Sequence, residues 1–147
     1  MHNSMDIVVC TDNKYIMPVG VMMYSVCVNN PNTKICFHVV IDESVTPENQ
    51  KKLEDTITPF DNQILFYKID SSPFRKYPSL KDGERITQAT YYRLFLPEIL
   101  PQSLNKVLYL DGDIIVRDSL EELWKTDIKD CAIAAVNHPE AIVSDFF

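Results

Sequence analysis

The chain has 147 residues, 46% of them hydrophobic and 24% charged, a balance that is typical of a globular protein and excludes a disordered or fibrous one. This length accommodates one sizeable hydrophobic core, so we expect a single domain over residues 1–147. With 14 basic against 21 acidic residues, the formal charge of −7 argues against nucleic acid or an anionic membrane surface as a partner.

The first half of the chain alternates strand and helix patterns. Buried-strand patterns cover "DIVVCT" (6–11), "KICFHVVID" (34–42) and "NQILFYKID" (62–70). Apolar residues at helical spacing follow the first strand up to Cys27, and "VTPENQKKLEDTI" (45–57) predicts a second helix, with Thr46 as N-cap and Pro47 at its first position. Strands and helices in this order predict an α/β fold, a mostly parallel sheet flanked by helices.

The second half is less regular. Residues 71–85 are rich in proline, serine and charge and predict a loop, after which "TQATYYRLFLPEIL" (87–100) predicts a helix capped by Thr87 or Thr90. "NKVLYL" (105–110) predicts a fourth strand, "DSLEELW" (118–124) a short helix capped by Asp118, and "CAIAAVN" (131–137) a further buried strand.

The four cysteines form no CxxC pair of the kind that binds zinc or exchanges disulfides. Cys10, Cys27 and Cys131 lie in apolar runs, which favours buried free thiols and a reducing compartment, and His38 in mid-strand is expected to be a packed core residue. The chain begins without a signal-peptide pattern and has no apolar run near the roughly 20 residues of a membrane span. We therefore expect a soluble intracellular protein, with peripheral membrane attachment left open.

Polar residues end most of the predicted strands, and ligands of parallel α/β sheets bind beyond the carboxyl ends of the strands. These residues are Asp12, Asp42, Asp70, Asp111 with Asp113, and Asn137. An acid at nearly every strand end predicts a cation or a hydroxyl-rich ligand at that edge.

The segment "YLDGDIIV" (109–116) allows three interpretations. Asp-Gly is a common hairpin-turn dipeptide. Two carboxylates held close together also favour a divalent ion such as Mg²⁺ or Mn²⁺ between them, with Gly112 letting a ligand approach the backbone. A phosphatase with an aspartate nucleophile shares the DxD pattern, but it needs a longer downstream segment than the 34 residues after Asp113.

Three ordered motifs, "DIVVCTDNKY", "TQATYYRLFLPEILP" and "NKVLYLDGDIIVRDSLEELW", resemble the family 8 glycosyltransferases, among them bacterial lipopolysaccharide galactosyl- and glucosyltransferases. The resemblance runs from about residue 6 to residue 137. It implies a Rossmann-like GT-A fold and a retaining, metal-dependent hexosyltransferase with a UDP-sugar donor, most simply UDP-glucose or UDP-galactose.

The resemblance also implies roles for individual residues. Asp111 and Asp113 are expected to hold Mn²⁺ or Mg²⁺ against the donor diphosphate, a Lewis-acid role. The implied nucleotide-sugar site comprises Thr11, Asp12, Tyr15, Arg93, Asp111, Gly112 and Asn137. From the residues alone, simpler interpretations remain: a helix cap for Asp12, a helix-face aromatic for Tyr15 and a salt bridge to a strand-end acid for Arg93.

Lys14 departs from the family pattern, and the family's further histidine metal ligand and acceptor segment find no match in these 147 residues. We therefore expect an incomplete GT-A domain, located in the cytoplasm or at the inner face of the membrane. The acceptor, a glycan or a lipid-linked glycan, stays unassigned. A non-catalytic UDP-sugar-binding or assembly module is the alternative, and self-association through "AIVSDFF" stays open.

Overall fold

Four parallel strands form one sheet in the computed structural model, which describes residues 4–76, 89–129 and 131–135. The strands are β1 (Met5–Thr11), β2 (Ile35–Ile41), β3 (Gln63–Lys68) and β4 (Leu108–Tyr109). Their order across the sheet is β3, β2, β1, β4, and every neighbouring pair is parallel. The predicted α/β fold with a parallel sheet is thus confirmed.

The helices of the first half follow their sequence patterns closely. A single 3-10 turn (Asn13–Tyr15) leads into α1 (Ile16–Asn29), and α2 spans Pro47–Ile57. The Thr46 hydroxyl accepts a hydrogen bond from the Asn49 amide at 3.2 Å, so the predicted N-cap is confirmed. No helix in the described ranges is long and apolar enough to cross a membrane.

Alternating side chains of the strands build two apolar layers, one on each face of the sheet. Ile7 and Val9 pack with residues of α1 and α2 on one face. Val8 and Val40 pack on the opposite face with Tyr92 and residues that follow it. Because both faces of β1 and β2 are covered, their carboxyl ends are held in fixed positions at one edge of the sheet.

The single helix predicted over residues 87–100 is wrong. The structure has α3 (Ala89–Tyr92), a 3-10 turn (Arg93–Phe95) and α4 (Leu96–Ile99) in its described part. Pro97 lies in the first turn of α4, where its missing N–H costs no helical hydrogen bond, whereas one continuous helix would place it in the interior. Thr90 lies inside α3 and is not a cap, and Thr87 lies outside the described residues.

Three other predictions for the second half need correction. The fourth strand is shorter than predicted, with two residues in β4. In α5 (Glu121–Lys125), the first amide, that of Glu121, donates to the Ser119 hydroxyl oxygen. The predicted cap Asp118 instead accepts from the adjacent Ser119 amide. Residues 131–135 form no strand, because nothing in the described structure covers them: Ile133 is 82% exposed, and Cys131 is exposed rather than buried.

Candidate functional site

Seven of the residues selected from the sequence line one cavity of about 270 Å³ at the carboxyl edge of the sheet. They are Thr11, Asp12, Tyr15, Arg93, Asp111, Gly112 and Asp113. Cys10, Ala89, Thr90 and Tyr109 complete the lining and were not selected as site residues from the sequence. Asn137 lies outside the described residues, so its predicted role stays a prediction.

The register of β4 against β1 brings the acidic pair to this cavity. Val8 pairs with Tyr109, and the Leu110 amide donates to the Val8 carbonyl at 3.0 Å. Asp111 therefore leaves the sheet beside Cys10, one residue before the end of β1. A parallel pairing of distant segments thus joins the first and third sequence motifs at one place.

Arg93 brings the second sequence motif to the same place. Its Nη2 donates to Asp111 Oδ1 at 3.0 Å, and its Nε donates to the Thr90 carbonyl oxygen at 3.0 Å. The guanidinium also lies over the Tyr109 ring, 4.7 Å from the ring centre. The salt bridge that the sequence left open for Arg93 is present, and it holds the guanidinium at the cavity wall.

Hydrogen bonds to one oxygen of the Asp111 carboxylate fix its orientation. Oδ1 accepts from both Arg93 and the Tyr109 hydroxyl, the latter at 3.1 Å, whereas no described residue donates to Oδ2. Asp113, two residues on, is exposed and accepts no hydrogen bond from the described residues. Carboxylate oxygens of this kind are the donors that Mg²⁺ and Mn²⁺ prefer, so Asp111 Oδ2 and Asp113 fit a hard divalent cation.

Gly112 is required by packing against α1. A Cβ atom added at Gly112 would lie 2.6 Å from Val19 Cγ2, well inside the distance that real Cβ contacts show. The segment turns at 112–113, but residues 114–117 form no strand, so the hairpin interpretation is wrong. The glycine lets the turn carrying both acids lie directly on the start of α1.

Asp12, which also lines the cavity, caps the 3-10 turn Asn13–Tyr15. Its Oδ1 accepts from the amides of Lys14 at 2.8 Å and Tyr15 at 3.2 Å, so the capping interpretation holds. The Tyr15 side chain is 37% exposed and available for stacking, while the buried Thr11 hydroxyl donates to the Asp12 carbonyl oxygen at 3.1 Å. The first motif therefore contributes one ordered carboxylate and one accessible aromatic ring.

Burial keeps two groups in the cavity lining neutral, the Cys10 thiol and the Tyr109 hydroxyl. Burial raises the pKa of the Cys10 thiol from 9.0 to about 12, an effect that the Arg93 charge opposes and the Asp111 charge reinforces. Burial likewise raises the pKa of the Tyr109 hydroxyl, with smaller contributions from Cys10, Arg93 and Asp111. Cys10 thus remains a thiol and Tyr109 remains a hydrogen-bond donor at neutral pH.

Two other strand-end acids do not join this site. Asp42 is buried, accepts from the Ser44 amide at 2.8 Å and receives a hydrogen bond from the Tyr92 hydroxyl at 3.0 Å. Asp70 accepts from the amide and the hydroxyl of Ser72, the first residue of a 3-10 turn. Among the described residues, the strand-end acids that line the cavity are therefore Asp12, Asp111 and Asp113.

The chain is similar to known proteins in both sequence and fold. A family model described as "Glycosyl transferase family 8" matches residues 6–145. General stress protein A of Bacillus subtilis is 32% identical over 133 residues, which cover 90% of this chain and 46% of that protein. Lipopolysaccharide 1,3-galactosyltransferase of Salmonella typhimurium is 33% identical over 125 residues, 85% of this chain and 36% of that one.

Among solved structures, galactosyltransferase LgtC in complex with donor and acceptor sugar analogs superposes with a TM-score of 0.77 at 35% identity. The superposition covers 86% of this chain and 44% of LgtC, so the chain spans less than half the length of these relatives. The chain therefore has the GT-A fold of LgtC. The chain belongs to glycosyl transferase family 8.

Proposed function

We propose that the cavity binds a UDP-sugar, UDP-glucose or UDP-galactose, for retaining hexosyl transfer assisted by Mn²⁺ or Mg²⁺. The observation that carries the proposal is the convergence of Arg93 and the acidic pair with the Asp12–Tyr15 segment in one cavity. Relatives named as a galactosyltransferase and a glucosyltransferase support the sugar class. Because the chain spans less than half of its relatives, the transfer reaction is proposed for the complete site.

Asp111 and Asp113 would hold the metal ion, which in turn would offset the charge on the departing diphosphate. Asp111 is suited to this role because the Arg93 and Tyr109 hydrogen bonds both reach Oδ1 and fix the direction of Oδ2. Arg93 adds a planar fork of N–H donors that matches pairs of phosphate or sugar oxygens better than a lysine would. The donor would thus be held both through the metal ion and by the guanidinium.

Asp12 and Tyr15 would bind the nucleoside. No described residue donates to Asp12 Oδ2, so this oxygen can accept from the uracil or the ribose while Oδ1 keeps its two backbone bonds. The exposed Tyr15 ring offers a surface on which the base can stack. Capping and binding are therefore compatible functions of the same carboxylate.

Calorimetric titration with UDP, with and without Mn²⁺, tests the proposal. We expect Mn²⁺ to strengthen UDP binding, and Asp113→Asn to weaken the Mn²⁺-dependent binding at least tenfold. Asp55→Asn is the matched control, because it removes an exposed carboxylate on α2 that pairs with Lys51 and does not line the cavity. Binding that does not depend on Mn²⁺, or that is unchanged in Asp113→Asn, would contradict the metal site.

Release of UDP from the two UDP-sugars separates catalysis from binding alone. Sustained, Mn²⁺-dependent release by this chain supports the transferase, and the faster donor identifies the preferred sugar. Tight UDP binding without release favours the alternative, a non-catalytic UDP-sugar-binding module with the same cavity.

A further inference from the structure

A second group of polar side chains lies on β1 and β2, near the starts of these strands. Asp6 pairs with Cys36 across the two strands, and His38 lies two residues after Cys36 on the same face. One ligand atom from each of the three residues lies within 4.8 Å of the other two. A carboxylate oxygen, a thiol sulfur and an imidazole nitrogen thus meet at one point of the sheet.

The group is separate from the cavity described above. Asp6 lies four residues before Cys10, which is about 13 Å along an extended strand. The Val8 side chain, on the same face, lies between the two groups. The two places also differ in chemistry, because the cation of the cavity is assigned to the carboxylates of Asp111 and Asp113, whereas this group adds a sulfur and a nitrogen ligand.

The His38 ring is buried and held at both nitrogens. Nε2 lies 3.0 Å from Asp6 Oδ1, and Nδ1 lies 2.9 Å from the Tyr67 hydroxyl of the neighbouring strand. Histidines that bind metals through one ring nitrogen usually donate the other N–H to such a fixed partner. Without a metal, Nε2–H donates to the Asp6 carboxylate and Nδ1 accepts from the Tyr67 hydroxyl. With the ring proton on Nδ1 instead and Tyr67 accepting it, the Nε2 lone pair would face an ion held between Asp6 and Cys36.

We propose that Asp6, Cys36 and His38 form a binding site for a zinc ion. Sulfur, nitrogen and oxygen donors are the ligand set that Zn²⁺ takes in proteins, and three protein ligands leave a fourth position for water. Zinc bond lengths place tetrahedral ligand atoms about 3.3–3.8 Å apart. The three ligand atoms lie within 4.8 Å of one another, so side-chain movements of roughly 1 Å would bring them around the ion. The Asp6 side chain is 18% exposed, which provides the open side.

The competing interpretation is a buried His–Asp hydrogen bond that orders the core. That interpretation gives Cys36 no function, whereas a zinc site requires its sulfur. The two therefore differ in whether the thiol of Cys36 reacts to added metal.

Cobalt titration of the reduced chain makes this distinction, because Co²⁺ substitutes for Zn²⁺ and absorbs visibly in tetrahedral sites. We expect intense d–d bands and a thiolate-to-cobalt charge-transfer band, both lost in Cys36→Ser. Cys131→Ser is the matched control, since it removes an exposed cysteine and should keep both bands. Absence of the charge-transfer band in the wild type, or its persistence in Cys36→Ser, overturns the proposal.

Thermal unfolding of the wild-type chain provides a test that needs no variant. Zinc at about 100 times its dissociation constant should raise the midpoint by roughly 5–10 °C, and Mg²⁺ at the same concentration should not. A midpoint that zinc leaves unchanged or lowers, or that Mg²⁺ raises equally, overturns the site even if the variants fail to fold.

Discussion

Gly112 lies so close to Val19 that a single added Cβ would approach Val19 Cγ2 to 2.6 Å. Gly112→Ala should therefore destabilise the chain by about 1–3 kcal/mol through overpacking and displace the turn that carries Asp111 and Asp113. Urea unfolding measures the first effect, and Mn²⁺-dependent UDP binding measures the second.

Val19→Ala supplies the control, because it removes the methyl groups that the new Cβ would meet. The double variant Val19→Ala, Gly112→Ala should be more stable than the sum of the single changes predicts, by about 0.5–3 kcal/mol. Strict additivity would show that Gly112 is not constrained by this contact.

Tyr92→Phe tests the hydrogen bond that anchors α3, the helix before Arg93, to Asp42. The change removes the hydroxyl that donates to Asp42 at 3.0 Å and leaves a buried carboxylate oxygen with one partner fewer. We expect a loss of about 1–3 kcal/mol in the free energy of unfolding. Tyr24→Phe, which removes an exposed hydroxyl, should change stability by less than about 0.5 kcal/mol. Equal effects of the two changes would argue against the anchor.

Arg93→Lys and Arg93→Gln separate charge from geometry in the cavity. Gln loses the charge-assisted contacts, so UDP affinity should fall roughly 10- to 100-fold, and Lys, which keeps the charge without the planar fork, should give an intermediate loss. Arg117→Gln is the control, because Arg117 is exposed and does not line the cavity. Equal affinities of the wild type and Arg93→Gln would remove Arg93 from the donor site.

The Cys10 thiol predicts a pH dependence of stability. Its pKa is raised in the folded chain from 9.0 to about 12, so its contribution is complete below pH 9 and is lost as pH rises from about 9 to 12. At pH 9.5 the unfolded thiol is largely ionised, which costs the folded state about 0.5–1 kcal/mol. Urea unfolding under reducing conditions at pH 7.5 and 9.5 should show this decrease.

Cys10→Ala should reduce the same decrease, because the variant has no thiol to ionise. The remainder comes from the other thiols and tyrosines with raised pKa values, which are Cys27, Cys36, Tyr67, Tyr92 and Tyr109. An identical decrease in Cys10→Ala and the wild type would show that the Cys10 thiol is not shielded from solvent.

Sequence patterns predicted the elements that local signals define. β1, β2 and α2 end within a residue or two of their predicted bounds, because their apolar runs, the Thr46 cap and the Pro47 start are local signals. The segment "CAIAAVN" has the same composition as a buried strand, but residues 131–135 find no sheet edge in the described structure. Composition indicates that a segment can be buried, and only the rest of the fold decides whether it is.

The candidate site was predicted in part for the same reason. Asp12, Asp111 and Asp113 are acids at predicted strand ends, which a sequence shows directly. Arg93 lies inside the predicted helix and was selected only through the family resemblance. Tyr109 and Cys10 are ordinary strand residues whose place in the cavity follows from the register of β4 against β1. A pairing between residues about 100 positions apart leaves no local signal.

The central claim is that Asp111 and Asp113 bind a divalent metal together with UDP in the cavity beside Thr11 and Asp12. Paramagnetic broadening of amide NMR signals by substoichiometric Mn²⁺ in the presence of UDP tests it most directly. The account predicts broadening centred on residues 10–12 and 109–113, absent in Asp113→Asn, and weakest at the starts of β2 and β3, at the opposite edge of the sheet. Sharp signals at residues 109–113 in a sample that binds UDP and Mn²⁺ would contradict it.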